Sequence, residues 1–395
     1  LQFYPKASLA YVLSDYDFWP QDLIETFKLR AALGESGKAP GAFDRLRTWS
    51  PVSHDDNQPG FTPLDVGNEN IGPERTREIE FGFDASALQG RVGLEATYYS
   101  AKTTDALVPV TLPPSTGILA SSSQNIGELE TSGFEFQLSG ILVQNEILEW
   151  SARANLSFMD SEALDLNGEL ISGDNKAEIR EGEVVPVYTG RVITNPNDFA
   201  DPEYEDGVIG PVNPQQLYGL STSLVLWDQL IADVLLEHQG GHYLPQYTGY
   251  QNGRRGVWYP CYDLYPKIIA YDQGDTSALD GVKAIDRAKC ALNGTGGYSS
   301  DYWVEKADFW KLRTVSLTYR LPREIVSGFA DRASVTVSGR NLLTWTDYSG
   351  VDPEVEDFRD RAEGGIFDGA TDYGRREYYN LPNPRQWLLS LRVTF

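Results

Sequence analysis

Three kinds of residue are scarce in this chain of 395: methionine occurs once, cysteine twice and histidine three times. Two cysteines leave room for one disulfide at most. No Gly-x-Ser-x-Gly elbow and no His-Glu-x-x-His pair occurs, so the common hydrolase and metalloprotease signatures are missing. Basic charge is also short, 33 Lys and Arg against 57 Asp and Glu, for a formal charge of −24. Nucleic-acid binding, which needs a basic surface, is therefore disfavoured. No apolar run approaches the roughly 18 residues of a transmembrane helix, but a membrane β-strand needs only about 9–11 alternating residues. The opening Leu1-Gln-Phe-Tyr-Pro-Lys6 lacks the basic start and apolar core of a signal peptide. The chain opens inside what reads as a strand, with the expectation that the true amino terminus lies upstream.

Glycine (37), tyrosine (22) and tryptophan (9) are plentiful, as suits strands and turns. At the carboxy terminus Leu389, Leu391, Val393 and Phe395 alternate with Ser390, Arg392 and Thr394. Similar period-two runs recur upstream. They start with Ala7–Leu13, Phe27–Leu33, Ile79–Ala85 and Val92–Tyr98. Phe134–Leu138, Ala152–Phe158, Leu220–Leu226, 230–244, Val315–Leu321 and Val335–Val337 follow, giving roughly eleven strands.

The connections are of two kinds in strict alternation. Leu88–Arg91, Gln144–Ile147 and Leu226–Leu230 are tight turns, and 14–25 and 322–332 are somewhat longer. Segments 37–75, 108–127, 165–215, 245–306 and 349–383 are much longer. Long structureless loops count against a compact soluble domain. A membrane barrel, by contrast, has short periplasmic turns and long external loops. If the last strand runs inward, every long loop falls outside. One face carries Lys28, Arg30, Glu80, Asp84, Arg91, Glu95, Glu135, Arg153, Arg320 and Arg392. Lys or Arg facing lipid near the midplane costs about 2–4 kcal/mol, so these belong in a wet lumen or against a plug. Trp150, Trp227 and Trp387 sit near strand ends, as interfacial girdle residues do. The reading is an all-β, transmembrane antiparallel β-barrel.

Several segments resemble the SusC/RagA family of TonB-dependent outer-membrane transporters. Pro73-Glu-Arg-Thr76 is similar to its Pro-Glu-x-Thr strand start, and Tyr98–Leu107 to its Tyr-Tyr-x-Lys-x-Thr-x-Asp-Leu strand end. Asn125–Glu135 resembles its Asn-x-Gly…Gly-x-Glu segment, Phe309–Pro322 its penultimate hairpin, and Gly339–Glu354 matches it best. The resemblance implies a 22-stranded barrel with an amino-terminal plug, of which residues 1–395 are the carboxy-terminal half, without plug or TonB box. Either the sequence is part of a longer chain or another chain completes the barrel. It further implies TonB-driven, non-enzymatic uptake of an oligosaccharide, peptide or similar ligand. The implied partners are the TonB complex, a SusD-like surface lipoprotein, outer-membrane lipid and the barrel-assembly machinery, which would read Phe395 as the end of its signal. The alternative is a structural or adhesive surface barrel without transport.

The remaining constellations are weaker. Gly34-Glu-Ser-Gly37-Lys38 lacks the spacing and following Ser/Thr of a phosphate loop. His238 and His242 lie four apart at a strand end, where they read as polar loop-edge residues rather than a metal pair. The acidic clusters Asp201–Asp206 and Asp352–Asp360 lack EF-hand spacing; solvated loop charge is the default reading, with a structural calcium as the alternative. Cys261 and Cys290 share one long loop, and an oxidising exterior would favour a disulfide. Trp258, Tyr259, Tyr262 and Tyr265 lie in the same loop. They read either as a contact for a ligand or a protein lid, or as a small loop core around the disulfide.

Overall fold

Alternation with period two sends successive side chains to opposite faces of a sheet, and the strand registers show how far this chain uses it. The computed structural model describes residues 2–54, 58–113, 115, 121–172, 176–292, 299–355 and 375–395. Eleven strands form one sheet, arranged in chain order. They are β1 (Lys6–Val12), β2 (Ile24–Lys38), β3 (Glu74–Ala87), β4 (Val92–Thr104), β5 (Glu128–Gln144) and β6 (Leu148–Asp165). β7 (Gln216–Leu226), β8 (Leu230–Gly240), β9 (Phe309–Arg320), β10 (Arg332–Thr346) and β11 (Gln386–Thr394) complete it. All neighbours are antiparallel, so the short and long connections fall at opposite ends of the sheet. Among the described residues β1 and β11 each pair on one side only.

Two adjacent cross-strand rows carry the logic of the wall. One runs Lys28, Asp84, Glu95, Gln137, Asn155, Gly219, Glu237, Lys311, Thr344 across nine strands. Every member is polar or glycine. The next row runs Tyr11, Leu29, Phe83, Ala96, Phe136, Leu156, Tyr218, His238, Trp310, Trp345. It is apolar and aromatic apart from His238, whose ring is stacked between Tyr218 and Trp310 at 4.9 and 4.6 Å. No core covers this second face: Phe81, Leu138, Leu142, Leu317 and Leu389 stand exposed on it. Apolar surface on this scale marks a surface made for lipid rather than water. Trp150 Nε1 donates to Thr222 Oγ1 at 2.8 Å, which satisfies the indole on that same face.

The polar face is internally paired. Asp84 accepts from Lys28 at 2.6 Å and Arg30 at 2.8 Å, and Asp233 accepts from Ser223 and Ser316 at 2.7 and 3.1 Å. At the short-turn end the β7–β8 hairpin turns through Trp227 and Asp228 with φ of 51° and 56°. Those positive values give the hairpin the twist that matches its strands.

Several boundaries differ from the sequence expectations. β2 continues through Gly34–Lys38, so the residues weighed as a phosphate loop are strand. Leu13 opens a short 3-10 turn instead of ending β1. β5 and β6 have 17 and 18 residues, well beyond the 9–11 that cross a membrane. The excess continues past the long-loop end and forms the base of what lies above.

Candidate functional site: the roof over the wall

Described parts of two long segments carry regular structure of their own. Within 166–215, four short strands (Ile171–Ser172, Ala177–Ile179, Val187–Ile193, Tyr204–Pro211) form a second sheet. Its Ile171 and Ile179 pack with Val108 and Val110 from the preceding long loop and with Ala163 and Leu166. Ala177, Tyr188 and Val212 form a second small core against Tyr243 and Val304. Segment 241–308 carries three helices, α1 (Tyr247–Gly253), α2 (Tyr265–Asp272) and α3 (Ala284–Lys289).

Cys261 and Cys290 are joined, with Cα atoms 5.5 Å apart. Around the disulfide pack Tyr265, Ile268, Leu279 and Val282, with Trp258 partly buried beside them. The aromatic run therefore divides. Tyr265 is core, its hydroxyl donating to the Gly253 carbonyl at 3.2 Å, and burial pushes its pKa up. Tyr259 and Tyr262 are exposed, in edge-to-face contact at 5.7 Å. The loop-core reading thus holds for Tyr265, while Tyr259 and Tyr262 lie outside that core.

Polar ties fasten the loops to one another. Asp201 accepts from Arg287 at 2.8 Å and from Tyr271 at 3.0 Å, so this acidic cluster is engaged in pairing. Asp301 is buried, binds Lys176, and accepts from the Arg191 amide at 2.9 Å. Gly190, at φ 153°, allows that approach, since a Cβ there would lie 2.8 Å from the Asp301 carboxyl carbon. Below this, Gln246 and Glu377 form a parallel bridge, and Thr248 Oγ1 donates to Glu377 Oε1 at 2.6 Å. His242, Gln246 and Glu377 are completely buried. Among the described residues, both His242 ring nitrogens and Glu377 Oε2 lack a hydrogen-bond partner there.

The expectation of loop-edge histidines is thus overturned. His242 is enclosed beneath the roof, and burial, aided by Arg375, lowers its pKa to about 4. His238 lies on the apolar face with Nδ1 2.6 Å from the Phe309 carbonyl. Burial raises the Glu377 carboxyl, so the two groups favour neutral forms in the same dry region.

The second acidic cluster is described only through Val355; residues 356–360 lie outside the described residues. Its first part is bound to the wall. Lys311 Nζ donates to Asp352 at 2.6 Å and to Glu354 at 2.7 Å, and Arg313 pairs with Glu354 and with Glu237, the latter at 2.5 Å. Burial works to raise Glu354, but the hydrogen bonds from Arg313 and Lys311 outweigh it and hold the carboxyl at about 2. Among the described residues, no three His, Cys, Asp or Glu side chains converge as a metal cage.

A polar face, an apolar face and tied long loops at one end describe the wall of a membrane barrel. The model of the TonB-dependent receptor-like β-barrel matches residues 1–342. The chain belongs to this family. Two TonB-dependent receptors of Formosa agariphila are 28% and 25% identical over the whole chain. The TonB-dependent receptor SusC of Bacteroides thetaiotaomicron is 23% identical over 73% of the chain and 30% of its own length. The chain spans 42% of the length of the two Formosa relatives. The structure of the RagAB peptide transporter superposes with a TM-score of 0.76 at 18% identity, covering 99% of this chain and 43% of that one. At that identity the likeness concerns the fold, and it agrees with the barrel-wall architecture.

Proposed function

We propose that residues 1–395 are the carboxy-terminal part of the barrel of an outer-membrane, TonB-dependent importer for an oligosaccharide, a peptide or a similar nutrient. The observation that carries this is the pair of adjacent rows, one polar or glycine across nine strands and the other apolar and aromatic apart from His238 across ten. Such a wall separates lipid from water. Its unpaired edge strands are tolerated in lipid only when other strands complete them. The remaining strands, the plug and the TonB box are then contributed by sequence outside this chain.

In this reading the roof faces the exterior and the carboxy terminus faces the periplasm. Phe395 ends the signal used by the assembly machinery, and a SusD-like lipoprotein docks above the roof. Exposed Tyr259 and Tyr262 present two ring faces for that lid or for the ligand. The protein works without catalysis: loops capture the ligand, TonB acts on the plug, and a path opens along the lumen.

The test is uptake by cells expressing the complete protein, with and without TonB. Accumulation of oligosaccharide or peptide that requires TonB is expected. Surface attachment that persists without TonB, with no uptake, identifies an adhesive barrel instead. A Tyr259→Ala/Tyr262→Ala protein that keeps full lid binding and uptake removes those two residues from the contact.

A further inference from the structure

β9 holds an irregularity that alternation hides. Its register shifts between Leu312 and Thr314 toward β10, and the β8 partner ladder shifts at Leu235/Leu236. Arg313 is the extra residue of a β-bulge. Lys311 and Thr314 keep the polar-face register, and the bulge turns Arg313 toward that face too. Two cations therefore stand side by side on the inner wall. Lys311 is only 2% exposed, a costly position for an unpaired ammonium.

The anions that neutralise them come from the segment after β10. Asp352 and Glu354 reach Lys311, Glu354 also reaches Arg313, and Pro353 between them is fully buried. The same segment is tied upward. Ser349 donates to Glu305 from its amide at 2.9 Å and its hydroxyl at 2.7 Å, and Glu305 also accepts from Lys289 at 2.7 Å. Tyr348 packs with Leu244 and Ala307, and Gly350 lies close against Gln246.

We infer that Tyr348–Glu354 is a strap drawn down onto the lumen side of the wall and latched by Lys311 and Arg313. It couples the wall to the α1 region of the roof as one rigid body. The roof above β8–β10 then stays fixed, and the moving parts of the path lie elsewhere in the lumen.

Hydrogen exchange on the complete receptor in membrane vesicles tests this. In the wild type, amides of 347–355 and 247–253 should share the same slow rate, about tenfold or more below that of the separate two-stranded hairpin in which Thr48–His54 pairs with Gln58–Asp65. Arg313→Met and Glu354→Gln should each speed both segments by about tenfold, and the double variant should go no faster than the faster single. The latch is overturned if 347–355 exchanges as fast as the hairpin. It is equally overturned if the single variants free 347–355 while 247–253 keeps its protection, or if their effects simply add. The wild-type comparison decides even if a variant fails to assemble.

Discussion

The wall and the roof of this chain are stabilised by different physics. The wall has almost no interior: its apolar side chains point outward, and ladder hydrogen bonds with cross-strand polar pairs hold its other face. The roof has what a soluble domain has, namely small buried cores, a disulfide, enclosed ion pairs and groups with displaced pKa values. A substitution in the wall is therefore judged by which face it occupies, and one in the roof by what it leaves uncompensated.

The largest effect is expected where roof meets wall. Lys311→Met leaves buried Asp352 and half-buried Glu354 beside a single cation, and losing one partner of such a network costs about 3–5 kcal/mol. The loss should appear as unfolding of the loop segments at lower denaturant concentration, with the heat-resistant barrel retained. If barrel and loops are lost together, the two regions are not separable. Next, Cys261→Ser/Cys290→Ser opens a loop closed across 29 residues, worth about 3–4 kcal/mol by chain entropy. Proteolysis within 258–290, followed by mass spectrometry, reads that effect directly.

The roof should also respond to acid. His242 has a folded pKa near 4 against an ordinary 6.5, so the unfolded segment binds the proton first. Its contribution is complete above about pH 6.5 and is lost as pH falls toward 4, by about 3 kcal/mol in total. Glu354, held near 2, acts in a lower window: its stabilisation is present above the ordinary carboxyl value and disappears as pH falls from there toward 2. Protection factors of 243–253, which are exchange rates corrected for the intrinsic slowing of amide chemistry in acid, should fall from pH 7 to 4 in the wild type and stay flat in His242→Gln.

How much of this could be read in advance follows the same division. Residues such as Leu29, Phe83 and Leu156 announce the wall because strict alternation has one geometric meaning. Lys311-Leu312-Arg313-Thr314 defeats that rule, since a bulge inserts a residue without disturbing the look of the sequence. Gly34–Lys38 was illegible as strand because β2 extends past the membrane, where no lipid demands an apolar partner face. His242 was misplaced because its surroundings are assembled from distant parts of the chain: Asp308 and Arg375, far along the sequence, both act on it. Cys261 and Cys290 could be paired from count and loop membership, yet nothing local separated Tyr265, which is core, from Tyr259, which is exposed.

The smallest expected effect is also the cleanest test of the wall. Leu220 and Ser221 are neighbours on β7 and face opposite sides: Leu220 aligns with Ala154 and Leu236, Ser221 with Arg153 and Leu235. Leu220→Arg places a charge toward lipid and should cost about 2 kcal/mol. Ser221→Arg places the same charge in the lumen beside Arg153, where water screens it, and should cost about 0.5 kcal/mol or less. Both are read from folding equilibria of the complete barrel in lipid vesicles. Equal costs would mean that the two rows do not separate lipid from water. A cost confined to Leu220→Arg would assign the faces with a single pair of adjacent residues, independently of any likeness to known barrels.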